Sequence, residues 1–205
     1  MTPRVAAVTA VDDLPDWEMA FRFASGRLCL AFCATVGERW RRSFERLRTP
    51  EDLGRWVNQA GLTAGTLVSV TARLLREARE LREAIYRLVR AAMAGTTGRK
   101  PDRDLLNTWA RRPPVSPQLA ARSRRELWAG PNPVAAALAT IAADAVDLLT
   151  GPVIGRVREC DAADCALLFL DSSRPGRRRW CADGACGSKA RTAAYRRRQA
   201  SNMGV

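Results

Sequence analysis

Two pairs of cysteines near the C-terminal end constrain the fold of this chain more than any other feature. Each pair has the spacing C-x4-C, and fifteen residues separate the pairs: Cys160 and Cys165, then Cys181 and Cys186. Four thiolates in two close pairs suit the tetrahedral coordination of one zinc ion, and a site closed by four protein ligands keeps no open position for catalysis. The pattern therefore predicts one structural Zn²⁺ held by these four cysteines.

Two disulfides, or free cysteines in a core, are the alternatives to this metal site. The common zinc-knuckle spacing is tighter, C-x2-C, so the spacing alone leaves both alternatives open. A segment of about 45 residues buries too little surface to fold by itself, and metal binding supplies folding free energy to such segments. We therefore interpret the zinc ion as structural.

A further cysteine pair, Cys29 and Cys33, lies four residues apart among apolar neighbours in a predicted helix. No third or fourth ligand accompanies the pair. We interpret both cysteines as small buried apolar residues, with a shared metal as the alternative.

Residues 17–152 are predicted to form a helical domain with one short β element at most. Thr49 as N-cap before Pro50 predicts the start of one helix, and an apolar stripe predicts another over 64–94. Two further helices are predicted over 101–111 and 133–151. Residues 21–26 are expected to be a short strand or an extended entry to the apolar run that starts at Leu28, and 112–130 is expected to be a turn-rich surface loop. Residues 1–16 are predicted to be a flexible arm, and 200–205 a tail.

Residues 154–199 are predicted to form a small ββα module around the metal. The expected elements are a strand over 166–171, a returning strand over 177–181 and a helix over 187–199. Cys186 then lies at or before the helix N-terminus, where the dipole stabilises a thiolate. The predicted fold class is therefore mainly α, with a helical N-terminal domain followed by a ββα zinc-finger module.

Short motifs in both parts of the chain resemble known families. In the C-terminal part these are Cys160 to Cys165, Leu168 to Asp171, Arg179 to Cys181 and Cys186 to Ala190; in the N-terminal part they are Ser25 to Leu30, the Leu-rich central helix and Leu148 to Pro152. The C-terminal part resembles the CGNR zinc finger. The N-terminal part is similar to the ABATE domain of stress-induced transcription regulators. The resemblance implies a bacterial regulator of transcription and of stress responses whose finger binds DNA.

The chain departs from the pattern of these families at two places. The sequence Cys-Gly-Asn-Arg is replaced here by Cys186, Gly187, Ser188 and Lys189, and lysine cannot form the bidentate contacts of arginine. The pattern Leu-Asp-Phe-x-Asn-Thr appears with Ala31 and Ala34 at its two polar positions. Whether those positions line a ligand pocket or only brace the fold in relatives is left open.

The balance of charge favours a polyanionic partner. The chain has 34 basic and 21 acidic residues, a net charge of +13, and its isoelectric point is near 10.9. All but two of the basic residues are arginines, a bias that a GC-rich genome also produces. The candidate nucleic-acid contacts are Arg174, Arg177, Arg178, Arg179, Lys189, Arg191, Arg196, Arg197 and Arg198.

DNA is the partner we predict for this surface, with RNA and a merely solvated surface as alternatives. Trp180 and Tyr195 could stack on bases, although Trp180, beside a ligand cysteine, is expected to pack in the small core of the module. The chain contains no histidine, and it shows no phosphate loop, nucleophile elbow or paired carboxylates, so we do not expect an enzyme.

The sequence thus predicts a zinc-binding, DNA-binding transcription regulator located in the cytoplasm. The alternative is a non-enzymatic module that binds proteins or senses a small ligand, with the zinc unit only as a structural staple. A homodimer and a small-molecule effector both stay open. No membrane partner is expected, because Asp144 and Asp147 interrupt the longest apolar stretch, which is also too short to span a bilayer.

Overall fold

Helices dominate the architecture. The computed structural model describes residues 14–63, 69–119, 121–123 and 125–202, which hold seven α-helices and three two-stranded antiparallel hairpins. Three predictions lie partly or wholly outside this described part. They concern residues 1–13 of the predicted arm, the predicted stripe residue Leu67, and residues 203–205 of the tail. The elements in chain order are α1 Asp16–Met19, α2 Leu28–Cys33, β1 Val36–Gly37, β2 Phe44–Glu45, α3 Pro50–Gln59, α4 Ala72–Met93, α5 Lys100–Ala110, β3 Ser116–Leu119, β4 Arg125–Trp128, α6 Pro133–Thr150, β5 Val157–Glu159, β6 Leu168–Leu170 and α7 Ser188–Asn202.

Local signals place the helices α3 and α6 where the sequence predicts them. The Thr49 side chain accepts a hydrogen bond from the backbone N–H of Asp52, and the Asp52 carboxylate accepts from the backbone N–H of Thr49, which completes a capping box. The Asn132 side chain caps α6 by accepting a hydrogen bond from the backbone N–H of Ala135. The mainly α fold class is confirmed.

Three details of the predicted helical domain are wrong. The long helix α4 begins at Ala72, not near residue 64, because Thr71 caps it by accepting from the backbone N–H of Leu74; Val70 is outside the helix. Residues 21–26 form no strand. Two hairpins are present instead of one β element: β1 pairs with β2, and β3 pairs with β4 inside the predicted loop.

The main core lies between α2, α3, α4, α5 and α6. Its fully buried members include Phe32, Trp56, Ile85, Leu138 and Leu148. Within the described residues, α6 is the one helix long and apolar enough to cross a membrane, with a mean hydropathy of 1.5 over 18 residues. Half of that window is buried in the protein, as is typical of a core helix.

Charged residues on α6 dock the start of α2. Arg27, directly before α2, pairs with Asp144 at 2.8 Å and with Asp147 at 2.7 Å. The backbone N–H of Cys29 donates to the Asp144 carboxylate. The two acids that interrupt the apolar stretch therefore hold α2 against α6.

The C-terminal module has the predicted ββα order, but the predicted strand pairing is wrong. The strand β6 pairs with β5, which precedes the first cysteine, in the register Val157 with Leu170 and Glu159 with Leu168. Residues 177–181 form no strand; the carbonyl of Arg179 instead accepts from the backbone N–H of Asp161. A π-helical turn, Asp183–Gly187, leads into α7.

The strand β6 lies between two cores. Leu168 and Leu170 pack against the main core, whereas Phe169 packs in a second core with the four cysteines. Alternate residues of a strand face opposite sides, so three residues connect the helical region to the metal-binding module. Ala34, at the end of α2, is also part of this second core.

Candidate metal centre and nucleic-acid interface

The fold brings the four predicted cysteine ligands together. One sulfur from each of Cys160, Cys165, Cys181 and Cys186 lies within 4.8 Å of the other three, and all four residues are buried. Cys186 lies in the π-helical turn directly before α7, close to the predicted helix N-terminus. Within the described part of the chain this is the one group of cysteine and acidic side chains close enough to share a metal ion.

The distances between sulfurs fit a tetrahedral zinc site. Cys165 and Cys181 have their sulfurs 3.7 Å apart, and Cys181 and Cys186 have theirs 3.6 Å apart. A Zn–S bond of about 2.3 Å in tetrahedral geometry gives sulfur–sulfur distances of about 3.8 Å. A disulfide needs about 2.05 Å, and all six cysteines are free thiols.

Backbone hydrogen bonds shape the two loops that hold the sulfurs. The backbone N–H of Cys160 donates to the carbonyl of Leu167, and that of Cys165 donates to the carbonyl of Ala162. The backbone N–H of Cys181 points at the Cys160 sulfur, 3.4 Å away. Hydrogen bonds from the neighbouring thiols and from this N–H lower the pKa of Cys160, whereas the hydrogen bonds with Cys160 raise the pKa of Cys165 and of Cys181.

Arg178 and Asp171 brace the segment between the cysteine pairs. The Arg178 guanidinium donates to the carbonyl of Cys181 at 2.7 Å and lies 5.2 Å from the centre of the buried Phe169 ring. The buried Asp171 carboxylate accepts from the backbone N–H groups of Ser173 and Arg178 and from the Ser173 hydroxyl. These bonds fix the loop that carries Arg174 and Arg177.

A buried arginine of the helical region lies beside the metal centre. Arg46 is 3% exposed and lines, with Cys165 and Cys186, a cavity of about 40 Å³. Its guanidinium donates to the carbonyls of Glu18 and Ala34, and no carboxylate in the described residues pairs with it. Burial lowers the pKa of Arg46 to about 10. A zinc ion with four thiolates has a net charge of −2 and would supply the missing counter-charge.

The predicted basic residues divide into two groups. Arg174, Arg177, Arg196 and Arg198 are exposed, and no ion pair holds them within the described residues. The others make contacts inside the protein: Arg178 as above, Arg179 with Asp161, Lys189 with Asp164, and Arg191 with the Ser188 hydroxyl. Arg197 belongs to α7, but its side chain lies outside the described part.

The aromatic side chains of the module also differ in their surroundings. Trp180 is partly buried against the second core, and the Arg179 guanidinium lies 5.1 Å from the centre of its ring. Tyr195 is exposed on α7, and its hydroxyl accepts from the Gln199 amide. Packing of Trp180, rather than stacking on a base, is the role that this arrangement supports.

Cys29 and Cys33 are buried in the main core, as expected of small apolar residues. The Cys33 thiol lies 3.7 Å from the carbonyl of Arg82, and burial raises its pKa to about 12. Neither cysteine belongs to a metal-binding group in the part of the chain that the structure describes.

The sequence analysis did not predict two residues that support the metal centre. Arg46 is one arginine among many, and no local pattern marks it as buried beside the cysteines. Asp171 directly follows the strand β6 and precedes two serines; an aspartate before serines is a turn signal that could have predicted its role.

Comparisons with known proteins agree with this geometry. The model of the ABATE family, described as "Putative stress-induced transcription regulator", matches residues 26–152. The model of the CGNR zinc finger matches residues 156–199. A search of proteins with curated functions gives no match. The chain therefore belongs to the ABATE family and carries a C-terminal CGNR zinc finger, and the prediction of one structural zinc ion is confirmed.

Proposed function

We propose that this member of the ABATE family is a bacterial, cytoplasmic transcription regulator whose zinc finger binds duplex DNA. The observation that carries the proposal is a set of exposed arginines that form no ion pair within the described residues, on the module that carries the four clustered cysteines: Arg174, Arg177, Arg196 and Arg198. Both matched families are of regulator and zinc-finger types.

The acidic residues of the finger support this assignment of the arginines. Asp161 pairs with Arg179, Asp164 pairs with Lys189, and Asp171 accepts hydrogen bonds from its own loop. Few negative charges of the finger are left to neutralise its exposed arginines. Phosphates provide that charge in nucleic acids, and such contacts position a protein on DNA without reading its sequence.

Zinc has a structural role in this proposal. Cys160, Cys165, Cys181 and Cys186 act as its ligands, and together they close the coordination sphere. The ion joins the two cysteine loops to the start of α7, and it thereby fixes Arg196 and Arg198 relative to Arg174 and Arg177. No step of catalysis is assigned to the site.

The test is binding of the zinc-loaded full chain to sheared genomic DNA, followed by sequencing of the retained fragments. We expect a limited set of enriched sites, and binding that weakens steeply with salt. The double variant Arg196→Ala/Arg198→Ala should flatten the log–log salt slope by about 1.8, since each lost phosphate contact accounts for about 0.9.

A matched control removes the same charge elsewhere. Arg76 and Arg111 are exposed arginines of the helical region that form no ion pair within the described residues. The variant Arg76→Ala/Arg111→Ala should keep the wild-type slope. Equal slopes for both double variants would remove α7 from the interface, and no retention of DNA at any salt would favour the alternative of a protein-binding or ligand-sensing module.

A further inference from the structure

We propose that an open cleft on the helical region, next to the finger, binds a small aromatic carboxylate. The cleft has a volume of about 550 Å³. Trp40, from the turn between β1 and β2, lines it together with Tyr86 and Arg90 of α4. Arg99, directly before α5, also lines it. Small-molecule sites have this size and combine apolar walls with a few polar groups.

Aromatic side chains make one wall of the cleft suited to a planar ring. The Trp40 side chain is exposed, with 64% of its surface accessible. The centres of the Trp40 and Tyr86 rings are 6.4 Å apart, and the planes are tilted by 53°. The Tyr86 hydroxyl is buried and has no hydrogen-bond partner within the described residues. A ring laid against Trp40 would cover apolar surface that is otherwise in water.

Arginines also line the cleft. Arg99 is exposed and forms no ion pair in the described part of the chain. It is also the N-cap residue of the eleven-residue helix α5, whose N-terminus has no side-chain cap and attracts negative charge. Arg87 differs from Arg99, because the Asp102 carboxylate accepts two hydrogen bonds from it. Within the described residues Arg99 is therefore the cation without a carboxylate partner, and Arg90 can bind an incoming carboxylate only by exchanging the Glu159 carboxylate that it now holds.

The cleft is connected to the zinc finger through one glutamate. Both the Trp40 indole N–H and the Arg90 guanidinium donate to the carboxylate of Glu159. Glu159 ends β5 and directly precedes Cys160. A ligand carboxylate that binds Arg90 competes with Glu159, and so changes the contact that holds β5 beside the metal centre.

This connection suggests an effector role, which rests on the proposed DNA-binding function. Binding of the ligand does not rest on it. We therefore propose to measure binding in the absence of DNA, so that a failure of one proposal is distinguishable from a failure of the other.

The experiment is isothermal titration calorimetry of the zinc-loaded full chain with 1-naphthoate. We expect saturable binding at one site, and at least about tenfold weaker binding of the neutral analogue 1-naphthalenemethanol, since it lacks the charge that meets Arg90 and Arg99. Trp40→Ala should weaken binding of naphthoate by about tenfold or more. The control Trp128→Ala removes a tryptophan that is similarly exposed, at 55%, but lies on β4, and should leave the affinity unchanged.

A second variant tests the competition with Glu159. Glu159→Gln removes the negative charge that Arg90 now binds, so the affinity for naphthoate should increase several-fold while the affinity for the neutral analogue stays the same. The proposal is overturned if naphthoate, benzoate and indole-3-acetate all fail to saturate the protein up to about 1 mM. It is also overturned if Trp40→Ala and Trp128→Ala bind naphthoate equally well.

Discussion

Replacement of Arg178 by alanine should weaken zinc binding, whereas replacement of its neighbour Arg177 should weaken only DNA binding. The two residues are adjacent and carry the same charge, but the structure gives them different surroundings. The Arg178 guanidinium donates to the carbonyl of Cys181 and lies over the buried ring of Phe169. Arg177 is exposed and has no ion pair among the described residues.

The size of the effect follows from these contacts. A hydrogen bond from a charged donor contributes about 1.5–3 kcal/mol, and a cation–π contact of this kind adds about 0.5–1 kcal/mol. Since Arg178 is partly exposed, we expect Arg178→Ala to destabilise the finger by about 2–3 kcal/mol. Folding of the finger and binding of zinc are coupled, so the apparent zinc affinity should fall by a factor of about 30 to 160.

Competition for zinc with a chromophoric chelator measures this affinity directly. Arg177→Ala serves as the matched control: its zinc affinity should stay within about twofold of the wild type, and its log–log salt slope for DNA should flatten by about 0.9. The interpretation of Arg178 as a brace would be refuted if Arg178→Ala kept the wild-type zinc affinity and flattened the salt slope as Arg177→Ala does.

Three further predictions concern the metal and the helical region. Cys181→Ser should lose zinc and make the C-terminal segment sensitive to protease while most helical circular dichroism remains; full zinc content with native protease resistance would contradict this. Arg82→Ala leaves the Glu45 carboxylate, a quarter exposed, without its buried partner. Chemical denaturation should show that the free energy of unfolding falls by about 2–3 kcal/mol, less than the 3–5 kcal/mol lost when one partner of a fully buried pair is removed. The hydrogen bonds from Arg87 lower the pKa of Asp102, so this carboxylate stabilises the fold above its ordinary pKa of about 3.9 and less as the pH falls below that value. The difference in unfolding free energy between wild type and Asp102→Asn should accordingly be largest near neutral pH and shrink below about pH 4, and a difference that does not change with pH would contradict the role of Arg87.

Features that depend on neighbouring residues could be predicted from the sequence. Thr49 and Pro50 mark the start of α3, and the capping box forms there because its two partners are only three residues apart. The cysteine spacing predicts the metal for a similar reason, since each loop brings its own two sulfurs together. Short-range geometry is enough for the capping box and for each cysteine loop, whereas bringing the two loops together depends on contacts distant in sequence, such as the hydrogen bond from the Asp161 backbone N–H to the Arg179 carbonyl.

Features that depend on distant contacts could not be predicted in this way. The strand β6 has candidate partners on both sides in the sequence, at 157–159 and 177–181. Pairing with Val157 to Glu159 places Leu168 and Leu170 in the main core and Phe169 among the cysteines. This pairing depends on packing against both cores, and neither candidate segment shows that packing in its own sequence. The different roles of Arg177 and Arg178 depend on the same distant contacts.

The shared strand also makes zinc binding and the stability of the helical region dependent on each other. Val157 and Leu168 are buried in the main core although they lie in the segment that the metal organises. If loss of zinc releases β5 and β6, both side chains leave that core, at a cost of about 1.5–3 kcal/mol each. Arg46 at the same time loses the negative charge beside it. A ligand that binds only the folded state stabilises every part that folds with it, so we expect zinc bound by the four C-terminal cysteines to stabilise the helical region as well as the finger.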